Sequence, residues 1–243
     1  MNIAILSCNT GGGHNSAAAA IARELDAQGH TYKIYNTLDF LPPSSARLIS
    51  RGHDFAYRHA PKLYGAGYRY EEKHPPVLLY EQCGKGCLPL WEALTEQGAQ
   101  AVICVHVFPA MMMTELSGRG LYLPSYFVAT DYTCSPGVSE LVVDGICIPH
   151  PLLAEEFAAA GLPADRLYPT GIPVSPEFAP AADREAVRVK LHMVGRSHVL
   201  VLACGSMGAG PLRGAAEVIR QQLGEDDLLV VVCGSNRRLC RQC

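Results

Sequence analysis

The first 29 residues constrain the fold most. Residues 2–8 form a short apolar run, Asn9-Thr10-Gly11-Gly12-Gly13 follows, and an alanine-rich stretch from His14 to Gln28 ends at Gly29. Strand, glycine turn and helix in this order open a parallel α/β sheet. The glycines let backbone approach a ligand closely, and the first N–H groups of the helix face it. Gly29 stands where a helix C-cap glycine belongs.

The alternation continues along the chain. Residues 31–35, 101–108, 125–130, 145–148 and 166–172 read as strands, and 151–160 as a helix opened by Pro151 and closed by Gly161. Pro173, Pro176 and Pro180 mark the approach to a linker over 176–197. The pattern then restarts, with a strand at 198–204, the loop Gly205-Ser206-Met207-Gly208-Ala209-Gly210, a helix at 211–223 and a strand at 227–233. Two Rossmann-like units are expected, at 1–175 and 198–243. A single strand-helix-strand unit is too short to close a doubly wound sheet, which implies a truncated second domain.

Composition narrows the function classes. With 49% apolar and 18% charged residues, the chain is globular, and a formal net charge of -3 argues against nucleic acid as the main partner. The N-terminus lacks a basic leader and cleavage site, and no apolar run reaches about 18 residues. Neither a signal peptide nor a membrane span is expected, so membrane contact would be peripheral. Among the ten cysteines, Cys83/Cys87 and Cys240/Cys243 are the close pairs. They lack the spacing of a four-ligand zinc site and read as surface thiols, so no metal is expected.

The first loop is not a Walker A loop, because no Gly-Lys-Ser/Thr follows. Gly11 and Gly13 match the dinucleotide pattern, but Ser16 or Ala17 stands in third place, with Asp39 as the acidic residue after the second strand. A dinucleotide-dependent enzyme stays open, as does a non-catalytic lipid-binding protein.

His14 carries more information. A helix N-terminus disfavours the imidazolium, and a neutral histidine at the mouth of a cleft can take a proton from a hydroxyl nucleophile. The plain alternative is a helix cap. Thr130-Asp131-Tyr132 ends a buried strand, where open sheets place their ligand contacts. Asp131 is expected to orient His14 or hold an acceptor hydroxyl, with a turn cap as its alternative. His106 lines the same cleft, and Met111-Met112-Met113 reads as core. Arg47, Arg51, Arg58, Lys62 and Arg69 are interleaved with Phe55, Tyr57, Tyr64, Tyr68 and Tyr70. That mixture suits an anionic membrane surface, or equally a solvated insertion.

Several segments, taken in order, resemble one family. They are residues 7–19 around Gly-Gly-Gly-His, Val128-Ala129-Thr130-Asp131-Tyr132-Thr133, Ile148-Pro149-His150, and Pro169-Thr170-Gly171-Ile172-Pro173-Val174. The chain is similar to the monogalactosyldiacylglycerol synthase and processive diacylglycerol glucosyltransferase family, whose wider group includes the peptidoglycan N-acetylglucosaminyltransferase. The resemblance implies an α/β fold of GT-B type, with a lipid acceptor in the N-terminal half and a UDP-sugar in the C-terminal half. Transfer would proceed with inversion and without a covalent intermediate, with no cofactor besides the UDP-sugar donor. The enzyme would act peripherally on the cytoplasmic face of the cell membrane.

By the same resemblance His14 is the base, and the N-terminal half binds diacylglycerol or a related lipid acceptor; Gly11, Gly12 and Gly13 of the loop and His106, Thr130 and Tyr132 at strand ends are the expected acceptor contacts there. Gly205, Ser206, Gly208 and Gly210 face the donor diphosphate, and Gly234 and Asn236 lie near the nucleotide. An N-acetylglucosamine transferase to another lipid-linked acceptor stays open. The family's later donor motifs would lie beyond Cys243. Cys134-Ser135-Pro136-Gly137 also replaces the His and Trp that plant members carry nearby.

Overall fold

A computed structural model describes residues 1–9, 12–47, 49, 70, 74, 77–181 and 183–243. The chain divides into two compact units, Met1–Ser175 and Pro176–Cys243.

The first unit holds a six-stranded parallel sheet in the order β2-β1-β3-β4-β5-β6. The strands are β1 (Asn2–Ser7), β2 (Thr31–Asn36), β3 (Ala101–Cys104), β4 (Ser125–Val128), β5 (Gly145–Cys147) and β6 (Leu167–Tyr168). Helix α1 (Gly12–Ala27) covers one face, while α2 (Val77–Gln97), α3 (Val107–Gly118) and α4 (Ala154–Ala159) contribute to the core on the other. The period of two along β1 explains both layers. Ile3 and Ile5 pack with Ala17, Ala18, Ala22 and Leu25 of α1. Ala4 and Leu6 point the opposite way, into the cluster with Leu90, Leu94, Phe108 and Met112.

Gly29 and Gly161, the expected helix-ending glycines, both adopt positive φ (72° and 97°). Inside α2, a Cβ on Gly86 would lie 2.7 Å from Leu41 Cδ2 and 2.9 Å from Met112 Cε, so this glycine sets how closely the helix approaches its neighbours. The segment Cys83-Gly84-Lys85-Gly86-Cys87 is helical. Cys87 is a core thiol, not a surface one, and burial pushes its pKa up to about 11.

Two expected strands are much shorter than their apolar runs, and one expected helix opens differently. The 101–108 run stops as a strand at Cys104 because His106 caps α3, which begins at Val107. The prolines around 169–173 leave β6 only two residues. The expected helix over 151–160 opens as a 3-10 turn at Pro151–Leu153 before α4.

The second unit contains β7 (Val199–Ala203) and β8 (Leu228–Val232), paired in parallel, with α6 (Leu212–Arg220) between them in sequence. Leu212, Cys233 and Leu239 form its small core, and α7 (Arg237–Cys240) follows. Part of the expected linker is itself helical: α5 (Arg184–Lys190) is capped by Asp183, whose Oδ1 accepts the Ala186 N–H at 2.9 Å.

Candidate functional site

In the order β2-β1-β3, the chain leaves β1 toward opposite sides of the sheet. The C-terminal ends of β1 and β3 therefore form the switch point where open α/β sheets place ligands. His14 follows β1 and His106 follows β3. Their rings meet edge to face, with centroids 4.5 Å apart and planes at 73°. Thr130, just past β4, joins them: its Oγ1 lies 2.8 Å from His14 Nδ1.

The same nitrogen lies 2.9 Å from the Val105 carbonyl. A carbonyl only accepts, so Nδ1 carries the proton of the neutral ring and Nε2 carries the lone pair. Val105 is fully buried, and its own N–H donates to the Leu6 carbonyl at 3.0 Å. The β1–β3 ladder thus fixes the carbonyl that orients the ring. Chemically, this makes His14 Nε2 a proton acceptor on a rigid mount.

The loop itself is held by side chains that sequence reasoning passed over. The Ser7 hydroxyl donates to Asn15 Oδ1 at 2.6 Å, and Asn15 Nδ2 donates to Asn9 Oδ1 at 2.7 Å. The Asn9 N–H donates to Asn36 Oδ1 at 3.1 Å, and Asn36 Nδ2 donates to Asp39 at 2.7 Å. Short amides clustered at the ends of β1 and β2 were the available signal, since such residues tie down turns. Asp39, the acidic residue of the dinucleotide reading, is engaged in this chain.

Gly11 lies outside the described residues. Gly12 and Gly13 open α1. Among the described residues a Cβ on Gly13 would meet nothing within 4 Å, and its φ is not among the positive ones. Neither packing against the described residues nor backbone conformation requires glycine there.

Beyond β4 the residues diverge. Thr130 meets His14, whereas Asp131 Oδ2 accepts the Ser135 hydroxyl at 3.3 Å. His14 Nδ1 thus meets Thr130 and a backbone carbonyl, while Asp131 lies against Ser135. Tyr132 is 70% exposed. Glu156 of α4 anchors the rest of the loop, accepting from Thr133 Oγ1 at 2.7 Å and from the Cys134 N–H at 2.6 Å. Burial, with the nearby Glu156 charge, raises the Cys134 thiol to about 11.

Arg47 is exposed, in a stretch that is helical over 43–47. Arg51, Arg58, Lys62 and Arg69 lie outside the described residues. Met111, Met112 and Met113 are buried in α3, as core packing predicts.

In the second unit the expected donor residues mostly serve one another. A Cβ on Gly208 would overlap the Cys233 carbonyl, and one on Gly234 would overlap the Ser206 carbonyl. The Ser235 N–H donates to that Ser206 carbonyl at 2.8 Å. Asn236 Nδ2 donates to the Gly208 carbonyl at 2.9 Å, while its Oδ1 accepts the Leu239 N–H at 3.0 Å and caps α7. Gly210, at φ 99°, has Cys204 Sγ 3.2 Å from a built Cβ. Gly205, at φ 57°, faces open space.

Among the described residues no group of three or more His, Cys, Asp or Glu is placed to hold a metal ion. No helix of the described residues is long and apolar enough to cross a membrane.

The fold is the α/β architecture of the GT-B proteins, and solved structures of that kind align with almost the whole chain. Acinetobacter baumannii MurG does so at TM-score 0.53 and 17% identity, over 99% of this chain and 61% of that one. S. aureus MnaA in complex with UDP does so at TM-score 0.56 and 12% identity, over 99% and 64%. At these identities the likeness concerns the fold alone.

The monogalactosyldiacylglycerol (MGDG) synthase family model matches residues 14–174, and the chain belongs to that family. The match begins at His14 and runs through nearly all of the first unit. Among curated relatives, the chloroplastic monogalactosyldiacylglycerol synthase of Spinacia oleracea is 26% identical over 98% of this chain and 48% of its own length. The processive diacylglycerol beta-glucosyltransferase of Staphylococcus saprophyticus is 21% identical over 98% and 61%. The chain therefore spans about half to three fifths of the length of these relatives.

Proposed function

We propose that the chain is the acceptor half, with the beginning of the donor half, of an inverting hexosyltransferase that moves a sugar from a UDP-sugar to diacylglycerol. Family membership and the names of the relatives support the reaction class. The observation that carries the site is His14, with its Nδ1 proton engaged by the Val105 carbonyl. As the acceptor oxygen attacks the anomeric carbon, its proton passes to His14 Nε2. The bond from that carbon to the diphosphate breaks, and the electron pair leaves with UDP. Thr130 steadies the ring, and Asp131 and Tyr132 border the acceptor path. The open space beside Gly13 admits the acceptor's head.

Gly205 offers the donor diphosphate backbone with room beside it. Ser206, Gly208, Gly210, Gly234 and Asn236 act through the shape of the paired loops. The basic and aromatic residues from Arg47 to Tyr70 would rest on anionic lipid at the cytoplasmic face of the membrane.

The test is hexose transfer from UDP-glucose or UDP-galactose to dioleoylglycerol in vesicles. It uses a version extended by the C-terminal portion of the Staphylococcus saprophyticus relative. His14→Ala should lower kcat by about 10²- to 10⁴-fold, the range for a lost general base, with UDP binding unchanged. Near-normal turnover by that variant would end the assignment of the base.

A further inference from the structure

Three thiols gather at the end of the second unit. Cys233 follows β8 and is buried in the small core with Leu212 and Leu239, whereas Cys240 and Cys243 are exposed. Two successive turns fold the chain back between them. The Asn236 N–H donates to the Cys233 carbonyl at 3.0 Å, and the Cys240 N–H donates to the Asn236 carbonyl at 3.1 Å. The Cys243 N–H donates to the Leu239 carbonyl at 3.1 Å, one turn further on. Leu239 shares the core with Cys233, so the turn that carries the exposed thiols lies against the end of β8. Both exposed thiols are hydrogen-bonding neighbours of the Cys233 thiol.

The pair Cys240/Cys243 alone would be ordinary surface chemistry. The buried third thiol changes this, because an exposed cysteine can meet an oxidant and a neighbouring thiol can then displace it. Burial raises the pKa of the Cys233 thiol, and the thiols of Cys243 and Cys240 raise it further. Cys233 therefore stays protonated while an exposed partner reacts first. Cys240 is the better-placed partner. It belongs to α7, which Asn236 caps and Leu239 anchors, whereas Cys243 lies past the helix.

We propose that Cys233 and Cys240 form a reversible disulfide site, oxidised by a small-molecule disulfide such as glutathione disulfide. The Cys240 thiolate attacks one glutathione sulfur, and the other glutathione leaves as a thiolate that takes up the proton Cys240 gave up. Cys233 then attacks the Cys240 sulfur of the mixed disulfide, and the second glutathione leaves with the Cys233 proton. Two protein thiols are oxidised, and one glutathione disulfide is reduced to two thiols. The bond closes residues 234–239 into a loop. Ser235 and Asn236, which bond to the Ser206 and Gly208 carbonyls, lie inside it.

Peptide mapping of the 243-residue chain tests this after equilibration with reduced and oxidised glutathione and trapping with N-ethylmaleimide. Trypsin cuts after Arg220, Arg237, Arg238 and Arg241, so each of the three cysteines falls on its own peptide. The expected product joins residues 221–237 to 239–241, about 2 Da lighter than the two reduced peptides together. At fixed reduced glutathione, the folded chain should need about tenfold less glutathione disulfide to reach half-oxidation than the chain in guanidinium chloride. Folding holds the two thiols at a higher effective concentration. Cys243→Ser should keep the link.

Residues 221–237 left unlinked, or joined mainly to 242–243, would overturn the pairing. So would loss of the link in Cys243→Ser. Equal demand for oxidant by the folded and unfolded chains would show that the fold does not bring these thiols together, and would end the proposal.

Discussion

Two loops in this chain share one sequence grammar, a strand followed by glycines and a helix, yet their glycines serve opposite ends. In the first unit, Gly13 has helical backbone and open space beside it. In the second, Gly208 and Gly234 sit at φ 56° and 52°, with carbonyls of the facing loop where a Cβ would go. The glycines after β7 and β8 let two loops close on each other, while the glycine after β1 leaves room. Glycine content alone does not mark a ligand site. What separates the two cases is whether the missing Cβ is already replaced by the protein's own backbone.

The contrast breaks most visibly at the second loop. Gly208→Ala and Gly234→Ala each force a left-handed backbone on an L residue and push it into a carbonyl. Each should cost about 2–4 kcal/mol of second-unit stability. Hydrogen exchange at the β7 and β8 amides measures this, and wild-type protection in either variant would show that the loops are not so closed. Asn236→Ala comes next, losing both the α7 cap and the bond to the Gly208 carbonyl, for about 1–2.5 kcal/mol. Asn236→Asp keeps the cap oxygen and should recover roughly half of that loss. If Asp and Ala are equally damaging, the bond to Gly208 matters more than the cap.

The strand-helix alternation was legible because each parallel strand is a short apolar run bounded by glycine or proline, and Gly29 and Gly161 end their helices as expected. The stretch from Val102 to Phe108 misleads for a physical reason. A buried strand and the first turn of a buried helix are equally apolar, and the break between them is a histidine cap, which propensity does not flag. At the site, His14 stood out beside its glycines, but its partner could not be read. The Val105 carbonyl lies 91 residues away and belongs to the backbone, which carries no residue-type signal. Asp131 drew attention because carboxylates commonly orient histidines, yet it is Thr130 beside it that reaches the ring. The amide chain from Ser7 through Asn15 and Asn9 to Asn36 was visible only as composition until the fold closed it.

The smallest expected effect on stability discriminates best, because stability and function should move in opposite directions. Gly13 has neither a positive φ nor, among the described residues, a neighbour within 4 Å of a built Cβ, so Gly13→Ala should stabilise the first unit by about 0.4–1 kcal/mol. An alanine at Gly208 or Gly234 could only destabilise. If the space beside Gly13 is where the acceptor's head passes, the same methyl should raise the KM for dioleoylglycerol in the extended protein by about tenfold or more, a cost of roughly 1–3 kcal/mol for overpacking a fitted site. A more stable protein with a poorer acceptor KM would mean that the first loop holds its glycine for a ligand. A more stable protein with unaltered transfer would mean that the room beside Gly13 is unused, and the acceptor would have to approach His14 from the Thr130 side. A less stable protein would point to a packing demand on this residue, and the two loops would then differ less than their backbones suggest.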